Sequence, residues 1–526
     1  LADLVSATRW TAASVARDWA ETAAAIKGVT VGTHAVSEEW QSGPWVTLRA
    51  LRLLERSLRD LDRGGPPRLP DTPRTTSGRT VVRTFPADRW DQLLFPGVTA
   101  ETRLLPHMSP DDVATRQAAA HRSAKGPTGP TLVLGAGNIT SIAPTDALYE
   151  LFVERNPVLL KMHPLLAPLT PVIRRAFGPL IAEGGLEIID GDGAASERLT
   201  RDPRIERIHV TGSDRTFNRI RFGQPTRAPD ALAVSSVPMT AELGNVTPVV
   251  VVPGPWSTRD VKFQARNIAA SVSHNGGCNC VATRVVIVPA DWDQQNAFVS
   301  EFKSALANTP GREVYYPGVA ARQLELASVT SGRRSAVGDD RRPWTVLEQI
   351  DVEGPEPWFK EEFFGPSTSV VPLPSKPVAD YIRAAVTFCN ERLWGTLAAS
   401  VFAHPRTLAD DHLGPVLDQA ISDLRYGTIG VNAWSALGFG IQSTPWGAYP
   451  GHTEDDPQSG IGIVHNTFML SDVEKTVIRA PWRPFPKPTW FSDNRSAPRV
   501  MEMLIEFETM PSVGRLLRVL GPALRA

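Results

Sequence analysis

Between Thr131 and Ser213 the sequence alternates short apolar runs with longer helical patterns, and few folds accommodate that order. TLVLGAGN (131–138) is an apolar run entering a glycine turn, and APTDALYELFVERN beyond it has helical periodicity. NPVLLKMHP (156–164), PLTPVIRRAFGPLIAEGG, LEIIDG, a further helix and IERIHVTGS complete a β-α-β-α-β succession. Strands separated by helices of this length imply a parallel sheet with crossovers. That is the doubly wound arrangement, which binds nucleotides at its strand C-termini.

A second alternation begins after Ser235. VPMTAELGNVTPVVVVP leads into a helix from Thr258, then strand VVIVP (285–289), helix QQNAFVSEFKSALA, strand STSVVPL and helix PVADYIRAAVTFCN. Residues 1–63 read as helical, 64–78 as a Pro/Gly/Ser loop and TVVRTFP (80–86) as a strand. Further on, DDVATRQAAAHR reads as a helix and KGPTGP as a loop. The expected organisation is 1–241 as a helical segment plus dinucleotide-binding domain, and 242–441 as a second, thiol-bearing α/β domain. Residues 442–526 are expected to hold closing loops, strands suited to oligomerisation and an amphipathic tail.

A net charge of −1 provides no global field to draw in nucleic acid. Only three cysteines occur, Cys278, Cys280 and Cys389, too few for a disulfide framework; they fit a reducing, cytoplasmic setting. LADLVSATRW at the start shows no secretory signal, and no apolar run reaches the ~18–20 residues of a membrane span. No His, Cys and carboxylate cluster has metal-ligand spacing, so no metal is expected. Two of the cysteines lie in one glycine turn, SVSHNGGCNC (271–280). A thiolate nucleophile suits such a turn, where glycines let a ligand approach the backbone; two small buried hydrophobes would suit it too. His274 beside them is read as structural.

Six segments in one order resemble the aldehyde dehydrogenase superfamily over about Thr131–Gly462: LGAGN with LLK (134–138, 159–161), HVTGS (209–213), AELGNVTP (241–248), GCNCVA (277–282), EEFFGP (361–366), and VNAW, PWGAY and SGIG (431–462). The resemblance implies a two-lobed aldehyde-dehydrogenase-like α/β fold, a doubly wound nucleotide-binding domain plus an α/β catalytic domain. It also implies oxidation of an aldehyde to a carboxylic acid with NAD or NADP, in a homo-oligomer. Residue by residue it implies Cys280 as nucleophile, Glu242 as general base and Asn138 as oxyanion donor. Lys161, Gly212, Ser213, Glu362 and Phe364 fall at its cofactor-binding positions.

The chain departs from the family pattern in places. An ungapped count from Arg284 puts Asn279 at the nucleophile position; alignment on Gly277 and Ala282 puts Cys280 there, and Cys278 stays a second candidate. Pro164 stands where NAD-preferring members carry a Glu for the adenosine ribose, so NADP is tolerated, with His163 a possible phosphate partner. Phe217 and Asn245 replace family glycines. The tail (Leu516, Leu517, Val519, Leu520 and Leu524 with Arg515, Arg518 and Arg525) has the pattern of a helix packed on its own domain or of peripheral membrane contact. Two other activities compete: a CoA-acylating dehydrogenase or acyl reductase, against which Glu242 argues, and a non-catalytic protein retaining the fold.

Overall fold

The computed structural model describes residues 1–123, 129–228, 231–339 and 342–525; most of the loop expected at KGPTGP lies outside them. Among the described residues two large sheets organise the chain, with a two-stranded pair, Pro445–Trp446 and Val464–His465, beside them. In the smaller, Thr131–Leu134, Val158–Lys161, Leu186–Ile189, Arg207–Thr211 and Met239–Glu242 run parallel, and Gly460–Ile461 adds an antiparallel edge. The chain starts at Thr131–Leu134, builds to one side through Lys161 and Ile189, then returns to build the other side through Thr211 and Glu242. That reversal opens a crevice at the strand C-termini. Pairing of Leu134 with Lys161 and Val210, and of Thr211 with Glu242, brings the four strand ends to one edge.

The larger sheet has eleven strands. Its middle is parallel: Val473–Arg479, Thr428–Val431, Ala398–Phe402, Pro248–Val251, Val285–Pro289, Ser367–Leu373 and Trp344–Glu348, in that spatial order. Apolar clusters cover both faces, which is why PVVV and VVIVP are buried throughout rather than alternating. Antiparallel strands close the edges, Arg333–Val337 on one side and Thr99–Leu104, Arg79–Phe85 and Arg74–Thr76 on the other. Sheet membership is thus not collinear with a division at 241 and 441. Strands from 74–104 and 473–479 join the larger sheet, while Gly460–Ile461 joins the smaller.

The ends of the chain pack together. In helix Val46–Asp62, Leu48, Leu51, Leu54 and Leu58 recur at helical spacing and are buried. From the same helix Arg49 reaches Asp91 at 2.8 Å and Glu508 at 3.1 Å, and Arg52 reaches Glu508 at 2.6 Å, tying it to helix Ala497–Thr509. The tail helix Val513–Ala523 buries Leu516 and Val519 in this core and leaves Leu517 exposed, as is Leu524 just beyond it. Among the described residues no helix is long and apolar enough to cross a membrane.

Candidate active site

Helix Thr258–Ser273 ends at a tight turn in which Asn275, Gly276 and Gly277 all take positive φ. Gly277, at φ +75, allows its Cα to lie against the backbone of Gly365, where any Cβ would collide. The buried guanidinium of Arg284 fixes that approach, donating to the carbonyls of Gly277 at 2.6 Å, Gly365 at 2.7 Å and Ser367 at 3.0 Å. The cysteine turn and the EEFFGP loop are therefore one unit. Cys278 points into the protein and is buried; Cys280 is half-buried and lies where two cavities meet. Asn279 is buried, with its amide oxygen accepting from the Val281 N–H at 3.1 Å.

Glu242, at the end of its strand, faces the Cys280 sulfur: the thiol donates to Oε1 at 3.4 Å. Its other oxygen accepts from the Trp446 indole N–H at 2.8 Å. Burial pushes this carboxyl up to about 7, and the Asp146 carboxylate adds to the rise; the hydrogen bonds from Trp446 and Cys280 draw it back. The Cys280 thiol is pushed well above the ordinary thiol range by burial and then by Glu242 and Glu362, so at rest the shared proton stays on sulfur. Cys278 is raised to about 11, chiefly by burial.

Asn138 is buried beside the turn, and its amide donates to the Cys278 carbonyl at 3.3 Å. That carbonyl is also held by the Asn275 amide at 2.7 Å, and Asn275 in turn takes a hydrogen bond from Lys27 at 3.1 Å. Lys27 and Glu39, 2.7 Å apart and fully buried, thus connect the N-terminal helices to the cysteine turn.

The first cavity is a cleft of about 1380 Å³ along the C-terminal edge of the smaller sheet, lined by Lys161, Gly212, Ser213, Glu362 and Phe364 together with Cys280. Lys161 is buried at its strand end and burial lowers its pKa. A Cβ on Gly212 would meet nothing in the protein, so that backbone faces open space; Ser213 caps the helix Asp214–Phe222. Glu362 lies against Gly244, where a Cβ would strike its carboxylate, and its Oε1 is buried without a partner. Burial raises this carboxyl to about 7 against the pull of Arg284 and Arg322. His163 is driven down to about 4 by burial and by Lys161, which keeps it uncharged near neutral pH and weakens it as a phosphate partner.

The second cavity, of about 180 Å³, leaves Cys280 on the opposite side and is walled mainly by aromatic and aliphatic side chains. Among the described residues no three His, Cys, Asp or Glu side chains gather to hold a metal ion.

Several neighbours of the site carry no sequence signal. Beneath Glu242, His209 lies 3.4 Å from Asp146, Thr211 donates to Asp146 at 2.8 Å, and His209 shares a hydrogen bond with Thr240 at 2.9 Å. Only the pairing of parallel strands with helix Ile142–Phe152 brings these groups together. Trp446 lay within the PWGAY segment, but its contact with Glu242 depends on the chain returning from residue 446 to 242.

Residues 100–314 match the model of the aldehyde dehydrogenase family. Solved structures share the fold. An indole-3-acetaldehyde dehydrogenase complexed with NAD+ is 17% identical, with a TM-score of 0.59, covering 91% of this chain and 84% of its own. An aldehyde dehydrogenase from Physcomitrella patens in complex with the reaction product succinate is 15% identical, with a TM-score of 0.60, covering 91% and 85%. An NADP-dependent glyceraldehyde-3-phosphate dehydrogenase from Bacillus halodurans C-125, complexed with NADP, is 17% identical, with a TM-score of 0.59, covering 91% and 86%. Over most of its length this chain therefore shares the fold of aldehyde dehydrogenases, and its residues 100–314 are similar to that family.

Proposed function

We propose that this protein oxidises an aldehyde to a carboxylic acid with NAD or NADP, using Cys280 as nucleophile and Glu242 as base. The observation that carries this reading is the Cys280 Sγ to Glu242 Oε1 contact of 3.4 Å at the junction of two cavities. The larger cleft has the parts a nicotinamide dinucleotide needs: unobstructed backbone at Gly212 before a helix N-terminus, Lys161 at a strand end, and the unpartnered Glu362 oxygen. Neighbours of the same fold complexed with NAD+ and with NADP support either cofactor. Lys161, Gly212, Ser213, Glu362 and Phe364 would hold it, and when bound it supplies the hydride acceptor.

Glu242 takes the thiol proton as Cys280 sulfur adds to the aldehyde carbon. The resulting oxyanion is met by the Cys280 backbone N–H and, once its amide turns from the Cys278 carbonyl, by Asn138. Loss of hydride from that carbon leaves a thioester on Cys280. Glu242 passes the first proton to solvent, then takes one from water as the water attacks the thioester carbon; the carbon–sulfur bond breaks, the acid leaves, and that proton returns from Glu242 to the Cys280 sulfur.

The test is an assay with several aldehydes and both cofactors, on the wild type and Cys280→Ala, with the product identified in the presence and absence of coenzyme A. Cofactor reduction with release of free acid, abolished in Cys280→Ala, is expected. Acyl-CoA as product would favour an acylating enzyme. No reduction, together with no cofactor-dependent alkylation of Cys280 by iodoacetamide, would favour a non-catalytic protein.

A further inference from the structure

We propose that the substrate is an aldehyde with a long, uncharged apolar tail, held in the cavity that leaves Cys280 away from the cofactor cleft. The inference rests on the reading of Cys280 as the nucleophile. The inner part of that cavity is built from the rings of Trp45, Phe95, Trp434, Phe439 and Trp446. Its outer part comes from the C-terminal helices, which contribute Leu504, Val519, Leu520 and Ala523, and from the loop carrying Phe485 and Trp490. Phe485 is 69% exposed, so the apolar lining continues to the surface.

Charge decides what the cavity admits. Of the described residues that line it, Lys487 alone carries a full charge, and its ammonium sits 3.6 Å from Asp493. His274, also in the wall, is kept uncharged by burial, which lowers its pKa despite Glu38. The Trp434 and Trp446 indoles already spend their N–H groups on the Val281 carbonyl and Glu242. A carboxylate or phosphate on the far end of a substrate would therefore be desolvated with no cation to meet it but Lys487, which Asp493 already pairs, whereas each methylene gains by leaving water. Helices Ala497–Thr509 and Val513–Ala523, which complete the wall, lie beyond residues 100–314, the segment that matches the family model.

The experiment has two arms. In the first, saturated aldehydes from butanal to decanal are compared with an aldehyde of decanal's length that ends in a carboxylate. The KM should fall about 3- to 4-fold per added methylene while kcat changes little. The carboxylate-terminated compound should lose at least tenfold in kcat/KM. Leu520→Arg and Ala523→Trp, on the surface helix of the wall, should each shift the ratio of kcat/KM for decanal over butanal at least tenfold toward butanal. In the second arm, decanal is titrated into Cys280→Ala and followed by the fluorescence of the wall tryptophans. Saturable quenching, weakened in the Leu520→Arg background, is expected. A KM that is flat with chain length, equal use of the charged aldehyde, or no binding by Cys280→Ala overturns the proposal. Decanal binding to Cys280→Ala with no aldehyde oxidised by the wild type would instead overturn the catalytic reading and leave the apolar site standing.

Discussion

The indole N–H of Trp446 donates to Glu242 Oε2 at 2.8 Å while the Cys280 thiol donates to Oε1 at 3.4 Å. Glu242 is thus held between two donors, an indole that steadies its charged form and the Cys280 thiol. Burial sets the carboxyl near 7 and the indole keeps it from rising further. With the carboxylate as the active form, kcat should climb as pH rises through about 7. Trp446→Phe removes a donor that favours the charged form, so the midpoint should move upward and the rate at pH 7 should fall roughly two- to tenfold. An unchanged midpoint in a pH–rate profile would remove the indole from this role.

The two thiols of the turn should separate cleanly. Cys280→Ala should abolish turnover, and Glu242→Gln should lower kcat by roughly 10²–10⁴-fold. Cys278 lines neither cavity, so Cys278→Ala should cost about 1 kcal/mol of stability and leave kcat within a few-fold. Steady-state rates beside urea denaturation curves distinguish the three.

Burial lowers the His209 pKa, but the Asp146 carboxylate reverses this and leaves it raised above 6.5. The folded state therefore binds this proton more tightly than the unfolded chain does. The stability it brings is complete below about 6.5 and is lost as pH rises through the folded pKa. Asp146→Asn should destabilise the protein by about 3–5 kcal/mol at pH 6 and flatten that pH dependence. Denaturation midpoints from pH 5 to 9 provide the check.

Two glycines of the site should fail differently when given a methyl group. Gly277→Ala places a Cβ at φ +75 against the Gly365 backbone, and should lower Tm and solubility before any kinetic effect is seen. Gly212→Ala meets no protein atom, so folding should be nearly unchanged while cofactor KM rises. Scanning calorimetry together with cofactor titration separates the two outcomes.

Lys27→Met leaves buried Glu39 with Arg312, at 3.6 Å, as its remaining cation and frees the Asn275 amide oxygen, which should cost about 1–3 kcal/mol. Because Asn275 braces the Cys278 carbonyl, alkylation of Cys280 should also change rate in this variant. Identical alkylation kinetics would mean the N-terminal network only stabilises the fold.

The alternation between Thr131 and Ser213 was enough to define a parallel, doubly wound sheet, because hydrophobic period and strand–helix order are local properties of the chain. Local pattern was less informative where strands sit at sheet edges. TAETRL (99–104) alternates buried and half-buried positions, yet its partner on one side is Val473–Arg479, hundreds of residues away. The motifs named Glu242 and Cys280 as candidates but left two sulfurs and an asparagine competing for one position. Which sulfur reaches the cleft is decided by a positive-φ turn clamped by Arg284 to a loop some eighty residues on. The Asp146–His209 pair beneath Glu242, and the apolar wall provided by the last helices, were likewise invisible in the sequence. Such contacts depend on the distance between side chains from remote segments, and that distance exists only once the chain has closed on itself.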